Sequence, residues 1–266
     1  MLAVCATPIG NLDDVTLRVL AELRVADVVL AEDTRRTRML LARHGIEAPL
    51  LSYHEHNEAA RVEALVPRLL AGEEIALVTD AGLPGISDPG TRLVRAARAA
   101  GVPVTVLPGP SAVETALVAS GLASGRYVFL GFLPRRATEL AELWRQLAGW
   151  TSSAVAFESP RRLPASLRSL AAALPARPVA VCRELTKRFE EVVVATADEV
   201  AARFAEPPRG EITIVLGPGA GPLDRSGEAE EAMATLVAAG TPRRLAADVV
   251  ARLTRVSKNA LYRSTL

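Results

Sequence analysis

The sequence is poor in the residues that build covalently stapled or metal-held folds. Its two cysteines, Cys5 and Cys182, each lie inside an apolar run with no metal-ligand spacing around them. A disulfide framework and a cysteine metal knuckle are both excluded, and buried thiols in a reducing compartment are expected. Lysine is as scarce: Lys187 and Lys258 stand alone, so the positive charge is almost all arginine. No lysine follows a glycine-rich loop, and no G-x-G-x-x-G run opens a helix, which makes a Walker NTPase and a Rossmann site poor fits. No basic start precedes an apolar segment, and charges interrupt every apolar stretch well short of a membrane span. The expectation is therefore a soluble cytoplasmic protein with no membrane contact. A strong charge imbalance is also missing. The formal charge of +1 neither demands nor excludes nucleic acid, since a basic face can hide inside a neutral total.

What is present is a long, apolar chain of 266 residues, enough for two domains and a small appendage. Its first half alternates strand-like and helical patterns. Strand runs fall at Leu2–Thr7, Asp27–Ala31, Pro49–Tyr53, Glu74–Val78 and Val102–Leu107. Helical spacing falls at Thr16–Val25, Thr34–His44, Ala59–Leu70 and Thr91–Ala100, and in a helix from Ser111 to Gly121. That alternation predicts a parallel sheet with helices on both faces. The second half gives strands at Tyr127–Leu133, Ala154–Phe157, Val179–Glu184, Glu191–Ala195 and Ile212–Leu216, read as a mixed, partly antiparallel sheet. Gly217–Gly221 reads as a linker, because no helix follows it. Beyond Arg225 the pattern is helical only: Glu228–Ala239, Pro242–Leu253 behind a Thr241 cap, and Ser257–Arg263, a grouping like a helix-turn-helix.

The richest stretch is Thr79–Gly90, where Gly82, Gly85 and Gly90 let the backbone turn or approach a ligand. Pro84 and Pro89 stiffen it, and Asp88 before Pro89 predicts a helix cap. Asp80 and Asp88 favour a cationic or neutral guest over a polyphosphate. A second punctuated turn, Pro108–Ser111, places Ser111 three residues before Glu114, the spacing of a capping box, with Ala112 at the helix start. The strand ends at Thr7–Leu12, Glu32–Arg38 and Ser52–Glu58 are also polar or turn-rich. A parallel sheet gathers all such ends at one rim, where open α/β sheets bind ligands. His54 and His56 face the same way on an extended chain, as a metal pair would, but no cysteine or third histidine lies near them. The segment reads as a polar, substrate-facing loop, expected beside the strand that carries the glycine loop.

Eight stretches carry a resemblance in order along the chain: TPIGNL (Thr7–Leu12), EDTRRTRMLL (Glu32–Leu41), SYHEHNE (Ser52–Glu58), TDAGLPGISDPG (Thr79–Gly90), LPGPSA (Leu107–Ala112), FLGFLPRR (Phe129–Arg136), FESPRR (Phe157–Arg162) and RELTKRFEE (Arg183–Glu191). Together they resemble the small-subunit ribosomal RNA cytidine 2′-O-methyltransferases of the tetrapyrrole methylase superfamily. The match runs into the tail around Lys258–Tyr262. It departs at Leu83, where the family has threonine, at Arg136 (lysine), at Arg161 (histidine) and at Arg255 (glycine).

The resemblance implies a two-domain α/β, class III methyltransferase fold with a small C-terminal helical domain, divided as 1–123, 124–222 and 223–266. It implies S-adenosyl-L-methionine as cofactor, touching Pro8, Ile9, Gly10, Asp80, Ala81, Gly82, Ile86, Ser87, Ser111, Ala112 and Leu133, with no metal. The implied substrate is a cytidine ribose in the decoding region of 16S ribosomal RNA or the small ribosomal subunit, and the implied assembly a homodimer. His54 is the first candidate general base, because histidine titrates near neutrality, with Glu184 and Glu158 behind it. Arg35, Arg36, His56, Arg136, Arg161, Lys187, Arg243, Arg244 and Lys258 are the candidates for RNA contact. Two rivals use other chemistry: a precorrin-type tetrapyrrole methylase with the same cofactor, and a nucleic-acid-binding regulator led by the C-terminal helices.

Overall fold

Five short apolar strands, β1 (Leu2–Cys5), β2 (Val28–Ala31), β3 (Leu50–Ser52), β4 (Ile75–Val78) and β5 (Val104–Leu107), form a parallel sheet in the order β3-β2-β4-β1-β5. Side chains alternate across a strand, so each run serves two cores. Ala3, Cys5, Val29, Ala31, Ala76 and Val78 pack on one face, against Val19 and Leu23 of α1 (Leu17–Val25) and Leu41 of α2 (Thr34–Arg43). Leu2, Val4, Val28, Leu30, Ile75 and Leu77 pack on the other, against Leu65 and Leu69 of α3 (Glu58–Leu70) and Leu93 of α4 (Thr91–Ala99). This two-sided burial explains why the runs are continuously apolar.

The coordinates come from a computed structural model that describes residues 1–219, 226–254, 256–258 and 261. They divide into two units, Met1–Trp144 with Ser152–Pro218, and Arg145–Thr151 with Gly219–Leu266. The first unit also holds a second sheet of β6 (Tyr127–Phe132), β7 (Ser153–Glu158), β8 (Pro178–Arg183), β9 (Glu191–Thr196) and β10 (Ile212–Leu216). Its order is β6-β7-β10-β8-β9; only the β6–β7 pair is parallel. Helix α5 (Ala112–Ser120) lays Val113, Ala116 and Leu117 on Val155, Ala180, Cys182 and Val215 of this sheet. Helices α6 (Ala137–Ala148), α7 (Leu163–Ala173) and α8 (Ala197–Arg203) complete this part of the chain. The second unit packs α9 (Ser226–Ala238) on α10 (Arg243–Thr254) through Ala229, Met233, Ala246, Ala247 and Val250. Both cysteines are buried and free, and burial pushes their thiols up to about 12.

Several local expectations are corrected. β3 is an edge strand beside β2, so the His54 segment is one strand removed from the glycine loop on β4. Asp88 does not cap α4. Gly90, at φ 140°, holds the cap position, and its N–H donates to Glu58 Oε1 at 3.1 Å. Ser111 caps α5 without the reciprocal box, because its hydroxyl donates to the Glu114 carboxylate, which also accepts from Tyr127 of β6. The box that does form is Thr196 with Glu199, at the start of α8. The end of the expected linker at Ala220–Gly221, the turn at Arg255 and most of the last helix, including Tyr262 and Arg263, lie outside the described residues.

Candidate functional site

The carboxyl ends of β1 and β4 are neighbours in the first sheet, and their loops are stitched together. Thr7 and Gly82 exchange both backbone hydrogen bonds, at 2.9 and 3.0 Å, and Thr7 Oγ1 donates to the Thr79 carbonyl at 3.0 Å. Gly82 takes φ +81°, a conformation that side chains disfavour. Together with α2 these loops wall a cleft of about 210 Å³ lined by Pro8, Ile9, Gly10, Asp80 and Ala81, with Arg36 and Leu40 opposite and Lys187 and Glu211 from the second sheet. Thr79 also lines the cleft. Thr79 is 2% exposed, and its Oγ1 has no hydrogen-bond partner. A buried orphan hydroxyl is costly unless a ligand or water completes it.

The second sheet closes the cleft with a strained turn. Glu184 and Thr186 hold positive φ values of 52° and 64°, and the turn packs directly on Gly10. Asn11 N–H donates to Thr186 Oγ1 at 3.0 Å. Lys187 Nζ donates to Glu184 Oε1 and to Glu211 Oε2, both at 2.9 Å. Burial pushes the Glu184 carboxyl up, but the hydrogen bonds from Lys187 and the Glu211 N–H outweigh it and hold the group below the usual range.

Acidic groups crowd the rim beside the cleft. Asp80 Oδ1 accepts from the Asp33 N–H at 3.0 Å, and its Oδ2 lies 3.4 Å from Arg36. Glu32 is raised by burial first and by the Asp80 charge second, while the Asp80 N–H bonds to it and works the other way. Burial, then Glu32 and Asp80, push Asp88 up to about 7. Three carboxylates from the ends of β2 and β4 thus share one low-dielectric edge, an arrangement that favours a cation. The sequence shows Glu32 only as part of a polar strand end and Asp88 as a cap in the glycine loop; only the adjacency of β2 and β4 reveals them as a group. Among the described residues no cluster of three or more metal-ligating side chains forms, and no helix is long and apolar enough to cross a membrane.

The candidate bases differ sharply in what they have free. The Asn57 side chain accepts from the His54 N–H at 2.9 Å and donates to the Ser52 carbonyl at 3.2 Å, which fixes its orientation. Its amide nitrogen then lies 3.2 Å from His54 Nε2, so that nitrogen accepts, and the buried Nδ1 has no partner. Glu158 is 2% exposed, with both oxygens engaged: Oε1 by Arg162 at 2.5 Å and the Ser159 N–H, Oε2 by Ser166 at 2.6 Å. Arg162 also donates to the Leu133 carbonyl, so this buried pair fastens Leu133 in place.

Of the cofactor candidates, Pro8–Gly10, Asp80 and Ala81 line the cleft, and Gly82 underpins it near the Pro110 carbonyl that precedes Ser111 and Ala112. Leu133 is buried, whereas Ile86 and Ser87 are exposed at the tip of the loop, where Ser87 adopts φ 64° near Gly131. Among the RNA candidates, Arg35 pairs with Asp33, Arg36 with Asp80, Arg136 with Glu139, Lys187 with Glu184 and Lys258 with Asp248. The pairs of Arg35, Arg136 and Lys258 are exposed and worth at most about 1 kcal/mol, so a phosphate can displace the acid, whereas the Lys187–Glu184 pair is partly buried. Arg161 and Arg244 are exposed with no ion pair among the described residues, His56 is exposed, and Arg243 is half-buried in α10.

Comparison with known proteins fits this geometry. The model of the tetrapyrrole (corrin/porphyrin) methylases matches residues 1–201. A ribosomal RNA small subunit methyltransferase I from Mesorhizobium japonicum is 42% identical, covering 100% of this chain and 91% of that protein. One from Xylella fastidiosa is 43% identical over 98% of this chain and 97% of its own. Among solved structures, a Thermus thermophilus uroporphyrin-III C-methyltransferase complexed with S-adenosyl homocysteine aligns with a TM-score of 0.58 at 20% identity, over 81% of this chain and 96% of that one. The chain belongs to the tetrapyrrole methylase family and, within it, to the ribosomal RNA small subunit methyltransferase I group.

Proposed function

We propose that this chain transfers a methyl group from S-adenosylmethionine to the 2′-oxygen of a cytidine ribose in the decoding region of small-subunit (16S) ribosomal RNA. The observation that carries the reading is the full-length identity of about two residues in five to relatives of that name, over a chain whose cleft suits the cofactor. The orphaned Thr79 hydroxyl, the apolar Ile9 and Leu40 walls and the acidic rim support a cationic nucleoside ligand. Pro8–Gly10, Asp80–Gly82, Ser111–Ala112 and Leu133 would hold it, with Ile86 and Ser87 closing over from the loop tip.

When bound, the cofactor supplies an electrophilic methyl on sulfur. The chain's own task is to hold a ribose hydroxyl in line with it, a positioning effect worth up to about 7–11 kcal/mol in favourable cases. Arg35, Arg36, His56, Arg136, Arg161 and Lys187 would hold the RNA beside the cleft, and Arg243, Arg244 and Lys258 would extend the grip from the helical tail. The exposed Tyr127, Phe132 and Val194 of the outer strands β6 and β9 support a homodimer, and a ribosomal RNA substrate supports a cytoplasmic location. In domain terms, residues 1–123 and 124–222 would form the cofactor cleft and 223–266 the RNA-binding appendage.

The test is transfer of labelled methyl from S-adenosylmethionine to unmodified small subunits, to naked 16S RNA and to a precorrin. Label in a 2′-O-methylcytidine after digestion supports the proposal. Label only in the macrocycle would assign the chain to tetrapyrrole chemistry instead.

A further inference from the structure

The proposed reaction requires a group that takes the proton from the ribose hydroxyl, and the structure narrows the choice. His54 has one ring nitrogen engaged by Asn57 and the other closed off from solvent. Glu158 has both oxygens engaged, and Glu184 is ion-paired with Lys187. On the acidic rim, Glu32 is bonded by the Asp80 N–H, and Asp80 by the Asp33 N–H and Arg36. Asp88 differs from all of these: it is half-exposed, and its carboxylate has no hydrogen bond or ion pair among the described residues.

The loop around Asp88 is built to hold it still. Ser87, just before it, adopts φ 64°, a strained conformation for a residue other than glycine. Pro89 follows, then Gly90, whose N–H is pinned to Glu58 Oε1, itself held by Tyr53 at 2.9 Å. Thr91 Oγ1 donates back to the Gly85 carbonyl at 3.3 Å. Strain of this sort persists where surrounding structure over-determines it, and it gathers at active sites. The same loop begins at Thr79, Asp80 and Ala81 in the cleft wall, and Asp80 lies close enough to act on Asp88.

We infer that Asp88 is the general base of this enzyme, accepting the ribose hydroxyl proton as the methyl group is transferred. The inference rests on the function proposed above. The 2′-oxygen bonds to the methyl carbon while the carbon–sulfur bond breaks and leaves its electron pair on sulfur. The hydroxyl proton passes to an Asp88 oxygen and then to water. Glu32 from β2 and Asp80 from β4 face Asp88, while Arg36 of α2 and His54 beyond β3 act on Glu32. Burial and the two acids lift Asp88 to about 7, which suits a base working near neutrality.

The experiment compares the parent with Asp88→Asn and Asp88→Glu in single-turnover methyl transfer to small subunits across pH, with calorimetry of S-adenosylhomocysteine binding. Asp88→Asn should lose roughly a hundred-fold or more in rate, the usual worth of a positioned base, while keeping its affinity for the ligand. The parent rate should climb along one limb that ends at or below about 7; Asp88→Asn should lack that limb and Asp88→Glu should restore it. A purely structural role would lower the rate and leave the limb in place. A fully active Asp88→Asn variant, or one that keeps the limb, overturns the assignment. A parent inactive on every RNA substrate overturns the proposed function, and the base falls with it.

Discussion

Gly10→Ala tests whether the two sheets close on each other as described. A methyl group at Gly10 would sit 2.6 Å from Lys187 Cγ, 2.6 Å from Thr186 Oγ1 and 2.7 Å from the Leu185 carbonyl oxygen. Lysine can swing away, but the carbonyl belongs to a turn already strained at Glu184 and Thr186. That turn is pinned by the Glu184 N–H to the Glu211 carbonyl at 3.0 Å and by the Lys187 N–H to the Glu184 carbonyl at 3.0 Å. Yielding by half an ångström or more therefore means breaking one of these bonds or parting the loops. Overpacking of this kind costs about 1–3 kcal/mol. In a body of this size that lowers the thermal midpoint by roughly 2–4 °C per kcal/mol. Because Gly10 also lines the cleft, S-adenosylhomocysteine affinity should fall with it. Gly125→Ala, at a site with nothing within 4 Å, is the control and should stay within about 0.5 kcal/mol of the parent. Lys187→Ala in the Gly10→Ala background should recover only part of the loss. Unchanged stability and affinity in Gly10→Ala would refute the described packing, and complete rescue by Lys187→Ala would show that the side chain, not the backbone, sets the cost.

Glu158→Ala should destabilise the first unit by about 2–4 kcal/mol in urea unfolding, because it strands Arg162 and Ser166 around a buried site and frees the Leu133 carbonyl's anchor. Asp88 and Glu32 should make the ligand-free protein less stable as pH rises. The folded carboxyl of Asp88 holds its proton up to about 7, whereas the unfolded one releases it near the ordinary value of 3.8, so stability is fully present below that value and falls through the window between. Thermal melts of Asp88→Asn should show a flatter fall over that window; an unchanged slope would refute the linkage. Truncation before Glu228 should weaken RNA binding and reduce its salt slope by about one unit for each phosphate-contacting cation lost, while leaving cofactor affinity intact.

The first sheet was legible because its signals are local. Short apolar runs such as Val28–Ala31, bounded by polar or turn residues and alternating with helical patterns, read as two-sided strands. The rim at Thr7–Leu12 and Thr79–Gly90 followed from the same logic, since parallel strands share one carboxyl edge. Lateral order was not legible: nothing in Leu50–Ser52 says that it pairs with β2 rather than β4. The Ser111–Glu114 pattern misled because the Ser111 hydroxyl and Tyr127 of the next strand both donate to the Glu114 carboxylate. His54 was legible as a candidate, but its surroundings were not. Its composition and position suit a base, but Asn57 occupies one nitrogen and packing covers the other, and neither fact has a sequence signature. Asp88 was visible as a cap and as a charge suited to a cationic guest, but its grouping with Glu32 needed the strand order.

In the cofactor site proposed above, the acidic rim would also set how the cleft tells its two cofactor forms apart. Three carboxylates on one partly buried edge repel one another, so the empty protein holds an unfavourable charge arrangement that a cation relieves. S-adenosylmethionine brings a sulfonium charge, and S-adenosylhomocysteine lacks it; their other groups are shared. Where Asp88 is protonated the rim carries less charge, and the two ligands should stabilise the protein more nearly alike. Above about 7 Asp88 is ionised and the sulfonium gains a further partner. A ligand that binds only the folded state raises stability by mass action, so differential affinity appears directly as a differential midpoint. The excess thermal shift given by S-adenosylmethionine over S-adenosylhomocysteine should therefore grow as pH rises through that value, and Asp88→Asn should remove the growth. Equal shifts from both ligands across the whole range would mean that the sulfonium sits away from this edge, and Asp80 and Asp88 would then have to act on the RNA alone.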